Sequence, residues 1–138
     1  MVNINTLAQE LTTAGHTEKS GFPFEVNPIP GEVEVLQIVV EDREELPIFI
    51  SANEDQILCI AYLFHRDEIK DGMEDAMNRD MLLANISIPL SSFARIDEQY
   101  VIYGALAVSS KLEDIVHEIE ILSSNTLDAI EAMRHYLK

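Results

Sequence analysis

Between Val33 and His65 three apolar runs follow one another with only a few polar residues between them. Val33 to Val40 is rich in β-branched residues, Leu46 to Ser51 repeats the pattern, and Gln56 to His65 is longer still. Runs of this length and composition read as strands. The charged stretch Glu41–Glu45 and the compact Asn53-Glu54-Asp55 are too short to hold a crossover helix. Strands joined this closely form an antiparallel meander. A parallel nucleotide-binding sheet needs alternating strands and helices, and that alternation is missing here.

Helical periods flank the meander. Ile4, Leu7, Ala8, Leu11 and Ala14 recur at helical spacing, with Asn3 or Asn5 to cap the start and Gly15 to close the end. A polar loop follows over 16–21. Phe22 to Val26 reads as a short strand whose Pro23 favours an edge or a strand start, and Asn27 to Gly31 as a turn. Beyond the meander, 67–72 is a polar break. Met73, Ala76, Met77 and Leu83 or Ala84 mark a second helix with an acidic exposed face (Glu74, Asp75, Asp80), ending near Asn85. Ile86 to Leu90, broken by Pro89, reads as a loop or a short strand. Tyr100 to Val108 is a strand in which Gly104 marks a bulge or a close approach.

The last element is a long helix. Ser110 and Glu113 match a capping box. Leu112, Ile115, Val116, Ile119 and Leu122 share one face, and Leu127, Ile130, Met133 and Leu137 continue the stripe. The polar run Ser123 to Thr126 kinks or splits the helix, or else leaves it continuous. The expected fold is one α+β domain over 1–138: an antiparallel sheet of four to six strands, with an N-terminal, a middle and a long C-terminal helix. The final stripe packs on the sheet or forms a homodimer seam, and packing is the expected use.

Charge limits the partners. Lys and Arg total 9 against 25 Asp and Glu, a net charge of −16, split as −9 over residues 1–70 and −7 over 71–138. There is no acidic tail; the body itself is acidic. Such a surface repels phosphate backbones and anionic lipid. We therefore expect no nucleic acid and no direct membrane binding. Basic or amphipathic protein segments would be attracted. The start of the chain lacks a signal-peptide pattern, no apolar run reaches the ~20 residues of a membrane span, and the chain is expected to be cytoplasmic. The single cysteine, Cys59, lies in an apolar run and reads as a buried small hydrophobe.

No chemical motif emerges. His16, His65, His117 and His135 form no His-x-x-x-His pair, so zinc has no local support. Asp67, Asp71 and Gly72 fall at positions one, five and six of a calcium loop, but Ile69 and Asn78 stand where oxygen ligands are needed. Ser51, Ser87, Ser91, Ser92, Ser109 and Ser110 lack a nucleophile elbow. Cys59 and His65 share a face of one strand but lie ~20 Å apart. The glycines are isolated, so no phosphate cradle exists. Glu44-Glu45, Glu74-Asp75 and Glu113-Asp114 are ordinary in so acidic a chain. Phe49, Tyr62, Phe64, Tyr100 and Tyr103 lack the basic context of an RNA-binding sheet and are expected mostly in the core. No catalytic, cofactor-binding or metal residue is assigned, and no cofactor is expected.

The stretches Val35-Leu36-Gln37, Arg43-Glu44-Glu45-Leu46-Pro47-Ile48-Phe49 and Gln56-Ile57-Leu58-Cys59 resemble the uncharacterised bacterial YjfI-like family. The resemblance implies a cytoplasmic bacterial protein without assigned activity. Genes of that family often neighbour one for a PspA-like coiled-coil protein of envelope stress, which makes such a protein a candidate partner. The element order also resembles the type III secretion chaperone-like fold shared with the YbjN group. That fold implies small acidic dimers that wrap extended partner segments. The leading expectation is a non-enzymatic adaptor or chaperone-like module. The alternatives are an enzyme whose site joins distant residues, such as His65 with loop carboxylates, and a regulator of the PspA-like protein.

Overall fold

The computed structural model describes residues 3–15 and 22–138; the predicted loop over 16–21 lies outside them. The chain runs α1 (Ile4–Gly15), β1 (Phe24–Ile29), β2 (Val35–Val40), β3 (Ile48–Ala52), β4 (Ile57–His65), α2 (Glu74–Ala84), β5 (Ser92–Ile96), β6 (Gln99–Leu106) and α3 (Leu112–Met133). Short 3-10 turns follow β4 and α3, at Arg66–Glu68 and Arg134–Tyr136. The six strands form one antiparallel sheet in the order β1-β2-β3-β4-β6-β5. The expected meander is there, and the sheet has the upper number of strands foreseen.

Period two decides the layers. Leu36, Ile38 and Val40, then Ile48 and Ile50, then Ile57, Cys59 and Ala61 alternate inward and are buried. α1 closes this face with Leu7 and Leu11, and α3 with Ile115, Ile119 and Leu122. Asn3 caps α1: its Oδ1 accepts from the N–H groups of Asn5 (2.9 Å) and Thr6 (3.1 Å). Gly15 ends α1 where a Cβ would strike the carbonyl of Phe24, so its smallness lets helix and strand meet.

Several expectations need correction. Asn27 and Pro28 are not a turn; β1 runs through them to Ile29. Pro28 is tolerated because β1 is an edge strand. The carbonyl of Pro23 accepts from the Glu41 N–H, so odd-numbered residues of β1 bond to β2 and the missing N–H of Pro28 would have faced outward. The capping box at Ser110 does not form. α3 starts one residue later than that pattern requires, with Lys111 at the cap and no side-chain bond. A reciprocal box exists instead at Arg66–Glu68, where Glu68 accepts from the His65 N–H.

α3 is continuous over 22 residues. Its stripe passes through Ser123, Thr126, Ala129 and Met133, and Leu127 is exposed. The buried Thr126 hydroxyl donates to the Leu122 carbonyl (2.6 Å), and Arg43 donates to Ser123 Oγ (3.1 Å) and Ser124 Oγ (3.3 Å). These bonds neutralise the polar run that suggested a break. β4 carries a bulge between Tyr62 and Phe64. The extra residue reverses the alternation, so Phe64 is buried and His65 lies on the opposite face from Cys59.

Candidate protein-binding surface

α2 is the least embedded helix. It buries Met77 and Met81, while Leu83, expected in its stripe, is exposed. Polar bonds at its margins hold the rest. The Tyr100 hydroxyl lies 2.6 Å from Asn78 Oδ1 and 3.0 Å from Glu74 Oε2. Burial pushes the Tyr100 phenol up, which keeps it a donor. Glu74 is also bridged by Arg66 (2.9 Å) and Arg95 (3.7 Å), and Tyr136 bonds Asp80 from the far side. Glu74, read from the sequence as part of an exposed acidic face, is thus a half-buried anchor.

Behind α2 lies β5, a strand that the sequence did not reveal. Its outward edge is plugged. Asn85, at the end of α2, accepts from the Phe93 N–H (2.7 Å) and donates to the Phe93 carbonyl (3.5 Å). One amide thereby occupies the edge groups at the middle of the strand. Asn85→Ala leaves Phe93 unpaired and is expected to cost about 1–2 kcal/mol; urea unfolding checks it.

Two apolar concavities flank this junction. One, of about 280 Å³, is lined by Asn78, Met81, Leu82, Phe93, Arg95 and Tyr100 among others. The other, of about 240 Å³, lies between the 86–91 loop and α3 beside Ile88, Pro89, Phe93, Asn125 and Met133. Asn125 straps that loop down by donating to the Pro89 carbonyl (2.8 Å) and Ser91 Oγ (2.9 Å). Of nine exposed large apolar side chains among the described residues, four lie here: Leu82, Leu83, Ile86 and Leu90. Ile86 is 93% exposed and Leu82 71%. Apolar groups gathered this way mark a contact surface more often than single exposed ones do. Asp128 also lines the second concavity, and α2 itself carries Asp75 and Asp80.

The sequence-named chemical candidates are scattered. His65 does meet carboxylates: Nδ1 is 3.0 Å from Asp67 and Nε2 3.7 Å from Glu98. All three side chains are well exposed, so water competes for each. Cys59 is buried, and burial together with the charge of Glu118 pushes its thiol up to about 12. Among the described residues, no three His, Cys, Asp or Glu side chains are grouped to hold a metal ion, and no helix is long and apolar enough to cross a membrane.

The sequence reading missed Glu118. It sits between Ile115 and Leu122 on the buried face of α3, 3% exposed, and its Oε1 has no hydrogen-bond partner. Burial pushes its carboxyl up, while His117 pulls it down. Opposite it stands Gly104 of β6, where a Cβ would overlap the carboxylate and come within 2.8 Å of the Leu90 carbonyl. Gly104 is therefore a close approach and not the bulge. The signal was available: a glutamate three residues after Ile115 and four before Leu122 falls inside an apolar stripe.

The family model for an uncharacterized protein conserved in bacteria (DUF2170) matches residues 1–137. The chain belongs to the DUF2170 family. It is 31% identical over 105 residues to the "Uncharacterized protein YjfI" of Escherichia coli strain K12, a match that covers 73% of this chain and 77% of that protein. The protein of the same name in Escherichia coli O157:H7 matches equally. The resemblance read from Val35 to Cys59 is thus correct. Among solved structures, the ExsC–ExsE complex contains a chain similar at a TM-score of 0.61 and 13% identity, covering 97% of this chain and 92% of that one. The ExoU–SpcU complex of the Pseudomonas aeruginosa type III secretion system contains one at 0.56 and 12%, covering 90% and 94%. The fold is the type III secretion chaperone-like one expected from the element order.

Proposed function

We propose that the protein is a non-enzymatic, chaperone-like module that binds a protein segment through the α2–β5 surface. The gathering of four exposed apolar side chains at residues 82–90 carries this reading. Their acidic surroundings, on a chain of net charge −16, favour a segment that is amphipathic and basic. The concavity under Leu82 would take one large apolar side chain of that segment, with Asn78, Asn85 and Arg95 at its mouth. The fold adds support, since the two similar solved structures named above are complexes of two proteins. Self-association of the chain and a cytoplasmic location belong to the same reading.

The test uses a synthetic amphipathic helix with a lysine face, and the same helix with a glutamate face, followed by fluorescence anisotropy. We expect the lysine peptide alone to bind, more weakly at 500 than at 50 mM NaCl. Leu82→Ser with Ile86→Ser should weaken it roughly tenfold. Equal binding of both peptides, or indifference to the two substitutions, sinks the proposal. Co-expression with a PspA-like coiled-coil protein and size-exclusion chromatography examines that partner; separate elution rules out stable binding.

A further inference from the structure

Glu118 sits where an ionised carboxylate has no counterpart. Beneath it, Cys59 of β4 and Gly104 of β6 are partners in the sheet register. The missing side chain of Gly104 leaves a gap, and two oxygens border it: Glu118 Oε1 and the carbonyl oxygen of Leu90. When the acid is ionised both are acceptors, and Oε1 finds no donor. The elements packed around it offer no counter-charge. β3 and the stretch 86–91 hold no ionisable side chain. β4 presents the Cys59 thiol, which burial keeps neutral by pushing it up to about 12. Tyr62 and Tyr103 lie on the opposite face of the sheet, and Tyr100 turns to Glu74 and Asn78 of α2. α1 contributes Glu10, an exposed acid. Arg43 reaches α3 from the β2–β3 loop but bonds Ser123 and Ser124, more than a turn farther along. On α3 itself the neighbour is His117, which is exposed. A proton on Glu118 turns the facing oxygens from a clash into a bond, because the neutral acid donates and the Leu90 carbonyl accepts.

We propose that Glu118 is a proton-operated latch on the 86–91 loop and regulates the binding surface that the loop carries. As an acid it holds the Leu90 carbonyl down. As a carboxylate, 3% exposed, it faces that carbonyl oxygen in a dry gap and repels it. The strain has one soft outlet. α3 is fixed in the core by Ile115, Ile119 and Leu122, and β6 lies between β4 and β5 in the sheet. The loop is tied by the Asn125 bonds, and Leu90 sits at φ 65°, a left-handed conformation that a leucine gives up readily. When the loop leaves, it carries off the exposed Leu90 side chain together with Ile88 and Pro89, which line the second concavity. The protonated chain is therefore the binding form, and ionisation takes part of the face apart. The regulation rests on the proposed binding surface; the latch itself does not.

Two measurements separate them. Amide proton–nitrogen NMR spectra between about pH 5.5 and pH 8.5 should show Leu90, Ser91 and Gly104 shifting along one shared curve, with a midpoint above the ordinary glutamate range. Glu118→Gln keeps a donor and cannot ionise, so it should hold these amides at their low-pH positions. His117→Gln should leave the curve in place. Loop amides that stay still in the wild type, that move identically in Glu118→Gln, or whose curve vanishes in His117→Gln overturn the latch. Fluorescence anisotropy with the lysine-faced helix then reads the regulation. Over the same range the wild-type affinity should fall at least about fivefold, and that of Glu118→Gln by less than about twofold. Equal loss in both proteins overturns the regulation. A lysine peptide that binds neither protein at any pH refutes the binding surface and with it the regulation, while the latch stands or falls on the NMR titration.

Discussion

Gly104→Ala is expected to destabilise the protein by about 3 kcal/mol or more, which lowers Tm by roughly 10 °C. A methyl group at this position would occupy the place of the Glu118 carboxylate and press on the Leu90 carbonyl. The carboxylate is the end of a side chain and can swing, but at 3% exposed it swings among buried neighbours. The Leu90 carbonyl is backbone, held by the Asn125 strap and by a residue already at φ 65°. Removing the carboxylate as well should therefore rescue part of the loss. We expect Gly104→Ala combined with Glu118→Ala to be more stable than Gly104→Ala alone, a coupling that a double-mutant cycle by urea unfolding measures. If Gly104→Ala costs under about 0.5 kcal/mol, the close approach between β6 and α3 is looser than described.

Glu118 makes the second large effect a matter of pH. Its carboxyl is pushed up in the folded protein by burial, and it faces Cys59 of β4, with His117 on its own helix. A folded-state value above the unfolded one means that the native state holds the proton more tightly. The stability this contributes is complete below the unfolded glutamate value of about 4.3 and is lost as pH rises through the folded value. Glu118→Gln removes that loss. Urea unfolding of both proteins at several pH values should show the variant gaining on the wild type as pH rises, by about 1–3 kcal/mol at pH 8. Subtracting the two curves cancels the many other acids. A difference that stays flat with pH would mean that Glu118 is hydrated in the native state.

The layout of the sheet was legible because its central strands carry β-branched residues at period two between turns that allow only hairpins. β5 was hidden for equally physical reasons. Only Phe93 of its five residues is buried, so no alternation shows. The hairpin to β6 turns on Asp97 and Glu98, with Asp97 at φ 50°, and this pair lacks the glycine that usually marks such a turn. α2 misled in the opposite way. Leu82 and Leu83 belong to a helix, but the face they occupy is not its buried one. Periodicity finds the apolar side of an element; it cannot say whether the same molecule covers that side. For this reason the exposed apolar cluster beside α2 and the Glu118–Gly104 contact required coordinates.

Both borders of the sheet are spoiled for lateral growth: Pro28 withholds a donor on one side, and the Asn85 amide fills the middle of the other. Neither border offers an incoming strand a full row of partners, so edge-to-edge stacking into fibrils stays shut unless one of those two residues is changed.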